Sequence, residues 1–600
     1  MDTLKITPLP IPINKSVTIP GSKSYTNRAL LLAALSTKPV KILNPLISGD
    51  TDAMINCLKK LGIKVIIKKS SFEVLNNITA IKNQSYDLNA NESGTTLRFI
   101  LALSTIIPGV KTLYGEEGLN KRPIGELVTA LQKLGANIKY LGKKGHPPVQ
   151  ISSSKFRNET IKIKGSISSQ YISAILMIAP ILGEINIEVA GNQISTPYID
   201  MTIDAMKQFG VTIINKKYRN YLIPANQRYT AKKYTVEADY SSASYFLAIA
   251  ALTYSTITLK NINPISKQAD KKFIKILEKM GNKIEFANNQ LTIQGKGVKP
   301  VSVDMTDCPD QIQTLTMLAA FAKGVTKIFG IKSLRIKETD RVAALQKELK
   351  KMNIKTSANT NTLTIYGGSP KPAKIETYGD HRMAMSFAVT GAKLAGIEIV
   401  DPNVVSKTFP DFWKKLNSIG IKTKTVSKKI NIVLIGMRGS GKTTIAKLLS
   451  QKLNRRCLEL DNMVVKKVGL PIPIIVEKHG WDFFRNKESE IAKKVSLENN
   501  IVISTGGGII LRQENIYALK ENGVFILLNA SVETLAKRIE KYSQLPPLTD
   551  KKTPREELGF VLEQREALYK KAADIIIDTD NLNPLETTDK IISEVERIKL

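Results

Sequence analysis

One ten-residue pattern recurs six times along this chain and limits the fold more than any other feature. LKKLGIKVII starts at Leu58, LQKLGANIKY at Leu131, MKQFGVTIIN at Met206, LEKMGNKIEF at Leu277, LKKMNIKTSA at Leu349 and LNSIGIKTKT at Leu416. The starts are 73, 75, 71, 72 and 67 residues apart. Each copy reads as the end of an amphipathic helix, a Gly or Asn in the C-cap position, then an alternating strand. The spacing is too long for a solenoid unit and long enough for several strands and helices. Six copies of one α/β unit therefore fill roughly residues 1–425. Three units per globular domain predict two similar domains, and the cleft between such domains is a favoured ligand site.

Six hundred residues exceed what one hydrophobic core can organise. A hydrophobic content of 42% with 6% aromatics fits an ordered, soluble protein. The net charge of +35 attracts anions: nucleic acid, acidic lipid or phosphorylated metabolites. Its Lys residues are spread along the chain rather than clustered with aromatics, which ranks nucleic acid low. Cys57, Cys308 and Cys457 have neither metal-site nor redox spacing, and His146, His381 and His479 form no ligand cluster. A reduced cytoplasmic protein is expected. The opening MDTLKITPLPIPI lacks a basic region followed by an apolar core, so no signal peptide is expected. AILMIAPIL (174–182) is too short to span a bilayer and reads as buried helix.

After KTKTVSKK (422–429) the pattern changes. INIVLIG (430–436) is a buried strand, and GMRGSGKTT (436–444) fits G-x-x-x-x-G-K-[ST] before the helix TTIAKLLSQKL (443–453). Gly436, Gly439, Ser440, Gly441, Lys442, Thr443 and Thr444 form a phosphate loop for ATP. Its glycines let backbone N–H groups face the phosphates, Lys442 neutralises their oxygens, and the Thr443 hydroxyl ligates Mg²⁺. The next strand, NIVIS (500–504), runs into TGGG rather than an acidic pair, which argues for a small-metabolite kinase over a motor ATPase.

Residues 430–600 resemble shikimate kinase: LELDN with Asp461, HGWDFFRNKE with Arg485 and Glu488, the triplet Gly506–Gly507–Gly508, and REALY with Arg565. The resemblance implies that Asp461 binds the shikimate hydroxyls. It gives Arg485 and Arg565 the carboxylate, as planar guanidinium groups suit, and packs the triplet around Gly507 on the ring. Glu459, a second candidate beside Thr443 for Mg²⁺, stands where the family usually has Asp. In YSQLPPLTD, Leu545 stands where the family's lid carries an Arg that stabilises the transferring phosphoryl group. Lys551, Lys552 and Arg555 are the nearby cations that could replace it.

The first part carries PGSKSYTNRALLLAAL (20–35), NESGTTLRF (91–99), KRPIGEL (121–127), GSISSQY (165–171), SLRIKETDR (333–341), YGDHRMAM (378–385) and DPNVVSKTFP (401–410). Cations and hydroxyls at helix starts suit two or more phosphate or carboxylate groups held in a cleft. These motifs, in this order, closely resemble 3-phosphoshikimate 1-carboxyvinyltransferase (EPSP synthase). The fold class implied is a two-domain inside-out α/β enolpyruvyl transferase fold of six repeated units, followed by a P-loop NTPase α/β kinase domain. The expected boundaries are 1–426, with halves at roughly 20–235 and 1–19 plus 236–426, and 427–600 for the kinase. Synthase followed by kinase is also the order inside the multifunctional arom proteins of fungi.

The resemblance implies addition of the 5-hydroxyl of shikimate 3-phosphate to C2 of phosphoenolpyruvate, then elimination of phosphate. Two carboxylates in a cationic cleft can move the protons: Asp310, in CPDQIQT, for the hydroxyl proton and Glu338 for the carbon proton. Lys23 joins them as a catalytic candidate. By motif, Lys23, Ser24, Arg28, Ser168, Ser169, Gln170, Ser195, Tyr198, Asp310 and Lys337 hold shikimate 3-phosphate. Lys23, Gly94, Arg122, Gln170, Arg341, Arg382 and Lys407 hold phosphoenolpyruvate. His381 is expected to be a neutral structural residue, and this half needs no cofactor. NESGTT replaces the common N-A-G-T form: Ser93 stands where Ala is frequent, and the retained Gly94 leaves room for the phosphoenolpyruvate phosphate. Phe99 follows Arg98 where many members have Pro, and Gly118 stands where many have Arg, so glyphosate sensitivity is expected to differ.

Three other readings stay open: an enolpyruvyl transferase acting on a nucleotide sugar, a basic P-loop protein binding nucleic acid, and an active synthase whose kinase domain is inactive or of altered specificity. The favoured reading expects shikimate, shikimate 3-phosphate, phosphoenolpyruvate and ATP as ligands, Mg²⁺ in the kinase, no nucleic acid, no membrane, and a monomer in the cytoplasm.

Overall fold

The computed structural model describes residues 2–597 apart from 153–159, 166–167, 192, 194, 427–429 and 541–552. The chain forms two compact units, Asp2–Val426 and Ser427–Leu600. No helix among the described residues is long and apolar enough to cross a membrane.

The first unit contains six four-stranded sheets with one shared pattern. In one of them, Ser85–Asn89 runs parallel to Val110–Tyr114, which pairs antiparallel with Val149–Ser152, which pairs antiparallel with Asn137–Tyr140. The repeated ten-residue segment is the helix end and the strand after it, which opens the hairpin in the first five copies and pairs with Thr3–Thr7 in the sixth. Its turn residue lies one position past the helix C-cap and is left-handed in all six copies. The φ values are 93° at Gly62, 100° at Gly135, 96° at Gly210, 107° at Gly281, 61° at Asn353 and 103° at Gly420. Glycine adopts that conformation without a Cβ clash and Asn tolerates it, which explains the five glycines and one Asn.

The chain crosses between two halves twice, and at the crossings it exchanges strands. Asn14–Thr18 precedes the helix Lys23–Leu35 but pairs in parallel with Thr256–Lys260. The corresponding place beside Val40–Leu43 is filled by Lys233–Thr235. Thr3–Thr7 lies between Glu398–Val400 and Lys422–Val426, with Leu4 opposite both Ile399 and Thr425, and so completes the sixth sheet. The cores follow the same division: one runs from Tyr25 to Val236, the other combines Leu4–Ile19 with Ala238–Ile421. Tyr198 packs against both.

Sheets line the outside and helices fill the inside. Strand Ile161–Lys164 alternates buried and exposed side chains, whereas helices Gly94–Thr105 and Tyr240–Thr253 bury almost every residue. A helix apolar on all sides belongs in a core.

The second unit is a five-stranded parallel sheet ordered Arg456–Glu459, Ile501–Ser504, Asn431–Ile435, Gly523–Asn529, Ile575–Asp578. Its strands bury both faces: Val433, Ile435, Ile503 and Phe525 point into one core, Ile432, Leu434, Val502 and Ile526 into the other. The phosphate loop follows the central strand. Its two neighbours, Ile501–Ser504 and Gly523–Asn529, both come later in the chain but lie on opposite sides of it, so the loop opens at the switch point where α/β sheets bind ligands.

Candidate active sites

In the first unit the inner helices aim their N-termini at one cavity of about 180 Å³. Lys23 and Ser24, Gly94 and Thr95, Ser169 and Gln170, Ser241, Asp310, and His381 with Arg382 line it from six helix starts or the turn before one. Each N-terminus carries unpaired N–H groups and a partial positive charge, so the six together favour anions. Ser93, Ser168, Asp239 and Asp380 cap four of them.

Arg341 organises the second half of the cleft. Its side chain is 1% exposed and meets three carboxylates: Asp380 from Nε at 2.6 Å, Asp310 from Nη1 at 3.1 Å and Glu338 from Nη2 at 2.7 Å. Arg382 Nη2 donates to Asp310 at 3.0 Å and to the Ser241 hydroxyl at 3.1 Å. Lys337 lies 3.9 Å from Asp310. Burial alone would raise the Asp310 carboxyl, but Arg382, Lys337 and Arg341 outweigh it and hold it far below the usual carboxylate range. Glu338 behaves alike: burial opposes its charge, while Arg341, Lys407 and Arg122 keep it ionised. Arg122 and Lys407 each lie 3.8 Å from Glu338. His381 is buried, with neither ring nitrogen hydrogen-bonded, and burial beside Arg382 pushes it far below its ordinary value. It is neutral.

The first half contributes a cationic wall. Lys23 Nζ pairs with Asp50 at 2.9 Å. Arg28 donates to Thr202, to the Ser24 carbonyl and to the Tyr198 carbonyl, which commits three of its five N–H groups inside the protein. Arg98 donates to Gln170 Oε1 at 2.9 Å, and Gln170 Nε2 donates to Thr95 at 3.3 Å. Ser195 holds a left-handed conformation at the start of the helix Thr196–Gln208 and lines the cavity with Tyr198. Gly94 has a reason for lacking a side chain that the sequence does not show. A Cβ there would meet Arg98 Nη1 at 2.6 Å and Arg122 Nη1 at 3.3 Å, so the free space is already filled by arginine.

Every synthase-side candidate named from the sequence lines this cavity. Sequence reasoning missed Asp380, Arg98, Asp270 and Ser241. Asp380 and Arg98 lie inside motifs already singled out. Ser241 accepts from Arg382 and donates to Asp270 at 2.6 Å, and neither residue belongs to a recognisable motif.

In the second unit a cavity of about 1310 Å³ runs from the phosphate loop to the glycine triplet. Gly436, Gly439 and Gly441 all have positive φ, so the loop can curl with its N–H groups inward. Lys442 Nζ donates to the carbonyls of Gly436 at 2.9 Å and Met437 at 2.8 Å. Burial lowers its pKa to about 8. Ser440 and Thr444 line the same cavity. Thr443 Oγ1 lies 3.5 Å from the Ser504 hydroxyl. Glu459 sits on the cavity wall, 3.5 Å from Lys447 Nζ, and accepts from Asn462. These are hard oxygen groups of the kind Mg²⁺ prefers, with room for phosphate oxygens and water to complete the shell.

The triplet is close-packed against charge. A Cβ at Gly506 would fall 2.6 Å from Asp461 Oδ1 and 2.7 Å from Glu488 Oε1, and one at Gly508 would fall 2.1 Å from Arg485 Nη2. Gly507 has ordinary contacts, and its carbonyl accepts from Tyr569 and Arg565. Arg485 donates to Glu488 at 2.6 Å and lies over the Trp481 and Phe484 rings. Burial raises both Asp461 and Glu488, each with one oxygen making no hydrogen bond. Leu545, Lys551 and Lys552 lie outside the described residues. Arg555 is exposed, is paired with Glu533 at 2.7 Å, and is not among the described residues that line the cavity.

Comparison with known proteins gives a family for each part of the chain. The family model for EPSP synthase (3-phosphoshikimate 1-carboxyvinyltransferase) matches residues 9–416, and that for shikimate kinase matches residues 438–596. A 3-phosphoshikimate 1-carboxyvinyltransferase of Colwellia psychrerythraea is 40% identical over 430 residues, covering 70% of this chain and all of the relative. One from Shewanella baltica (strain OS155) is 39% identical over 426 residues with the same coverage. The solved EPSP synthase of Acinetobacter baumannii aligns with a TM-score of 0.61 at 24% identity, over 71% of this chain and all of that one, and shares the fold. The chain belongs to the EPSP synthase family and carries a shikimate kinase domain behind its synthase domain, a fusion of two enzymes of the shikimate pathway.

Proposed function

We propose that both domains turn over, so that one chain phosphorylates shikimate with ATP and then transfers the enolpyruvyl group of phosphoenolpyruvate to the product. The observation that carries the synthase half is Arg341 gripping Asp310 and Glu338 together within one anion-binding cleft.

In this reading Ser168, Ser169, Gln170, Ser195, Tyr198, Arg28, Ser24 and Lys337 seat shikimate 3-phosphate. Lys23, Gly94, Arg122, Arg341, Arg382, Lys407 and Gln170 seat phosphoenolpyruvate. Asp310 takes the 5-hydroxyl proton. Glu338 delivers a proton to the methylene carbon, although the cations beside it keep it ionised in the free protein. Substrate binding resolves this: the anionic phosphoenolpyruvate draws on Arg341, Arg122 and Lys407, their hold on Glu338 weakens, and its pKa rises. Glu338→Gln should lower kcat by about 10²- to 10⁴-fold, the usual worth of a general acid or base, without raising the KM for phosphoenolpyruvate.

In the kinase, Lys442 and the loop amides cradle ATP, while Asp461, Arg485 and Arg565 hold shikimate around Gly507. Thr443, with Glu459 nearby, would hold Mg²⁺, which neutralises phosphate charge as it transfers. Mass spectrometry of full-length protein given shikimate and Mg-ATP, with phosphoenolpyruvate withheld, tests this half. Accumulating shikimate 3-phosphate supports it. A second reading, a kinase domain that is inactive or of altered specificity, rests on Leu545, which stands where the family's lid carries an Arg. That reading expects no shikimate 3-phosphate in a protein that still converts added shikimate 3-phosphate and phosphoenolpyruvate.

A further inference from the structure

Glu92 lies two residues before Gly94, beside the N-terminus of the helix Gly94–Thr105, in the first half of the synthase unit. Its carboxylate reaches across the cleft to Lys407 Nζ at 3.2 Å, a contact spanning 315 positions. The two ends differ sharply. Lys407 is 10% exposed and already lies 3.8 Å from Glu338, whereas Glu92 is 62% exposed. Lys407 is thus a fixed part of the cleft, and Glu92 is an anion at its mouth, free to leave. Lys407, Arg122 and Gly94 line the same cavity as Glu92, so the groups around it suit an anion.

We infer that Glu92 is a tethered competitor of phosphoenolpyruvate, a carboxylate that occupies Lys407 until the substrate's own anionic group displaces it. This rests on the proposed role of Lys407. Breaking the pair costs little, because an exposed carboxylate regains water on leaving. The consequence is a specificity filter at the mouth of the cleft: a ligand must carry enough charge at the right place to replace Glu92 on Lys407, so weaker anions are disfavoured.

The test is steady-state kinetics of the synthase reaction in the full chain, with shikimate 3-phosphate saturating and phosphoenolpyruvate varied. Glu92→Gln should lower KM for phosphoenolpyruvate about three- to five-fold, the worth of one exposed ion pair, with kcat and the KM for shikimate 3-phosphate unchanged. An unchanged or higher KM overturns the inference. Lys407→Met separates the inference from its premise. If that variant leaves KM for phosphoenolpyruvate unchanged, the role given to Lys407 fails. If it raises KM while Glu92→Gln alone does nothing, only the competitor role of Glu92 fails. In the Lys407→Met background, Glu92→Gln should have no further effect. A persisting decrease in KM would mean that Glu92 acts through its general field and not through this pair, and would overturn the inference too.

Discussion

Arg341 holds Asp310, Glu338 and Asp380 at once, and Asp380 is the only one of the three with no exposure. It also caps the helix that carries Arg382, accepting from the Arg382 amide at 2.8 Å. Asp380→Asn should destabilise the synthase unit by about 3 kcal/mol or more, because it leaves Arg341 buried with one charge partner fewer. Urea unfolding followed by Trp413 fluorescence in a Trp481→Phe background isolates that unit, since these are the only two tryptophans. In the kinase, Gly508→Ala would drive Arg485 off its position. The KM for shikimate should rise about ten- to a hundred-fold, the worth of charged hydrogen bonds, while synthase kinetics stay unchanged. The proposed catalytic acids and the cations that line the synthase cavity were legible because each sits in a compact motif. Asp380 was not singled out, because its grip on Arg341 spans 39 positions that no local pattern records. The triplet, Asp461 and Arg485 were legible as motifs, but the packing of those two side chains that forbids a Cβ at Gly506 and Gly508 was not.

Helix N-termini and exchanged strands set where those residues stand. The phosphate loop makes a thermodynamic prediction. With Lys442 at about pKa 8 in the free protein, half of it is deprotonated at pH 8, and bound phosphates favour the ammonium form. ATP binding at pH 8 should therefore take up about half a proton and should weaken as pH rises through 8. Titration calorimetry in buffers of different ionisation enthalpy would show the uptake at pH 8 and none near pH 6. Deleting residues 2–7 removes a strand paired on both sides, and the second half of the synthase unit should then fail to fold. Synthase turnover should vanish while kinase turnover persists in soluble protein. The six repeats were legible because each needs a Gly or Asn in the left-handed position after a helix. The assignment of 1–19 to the same half as 236–426 came with the family resemblance, but the register was not legible, because Asn14–Thr18 and Lys233–Thr235 are short strands whose side chains do not specify a partner.

The whole chain joins two separately packed units, each with two hydrophobic cores and a cavity lined by cations. The product of one chemistry is the substrate of the other, and the fusion keeps both in equal amount. Both cavities are lined by arginines and lysines, which suits the phosphate and carboxylate groups proposed to bind there. The deciding experiment supplies the purified chain with shikimate, Mg-ATP and phosphoenolpyruvate together and follows all species by mass spectrometry. The account predicts that shikimate is consumed, shikimate 3-phosphate appears, and the enolpyruvyl product follows, all dependent on ATP. Shikimate left unchanged, in a preparation that converts added shikimate 3-phosphate, would contradict it.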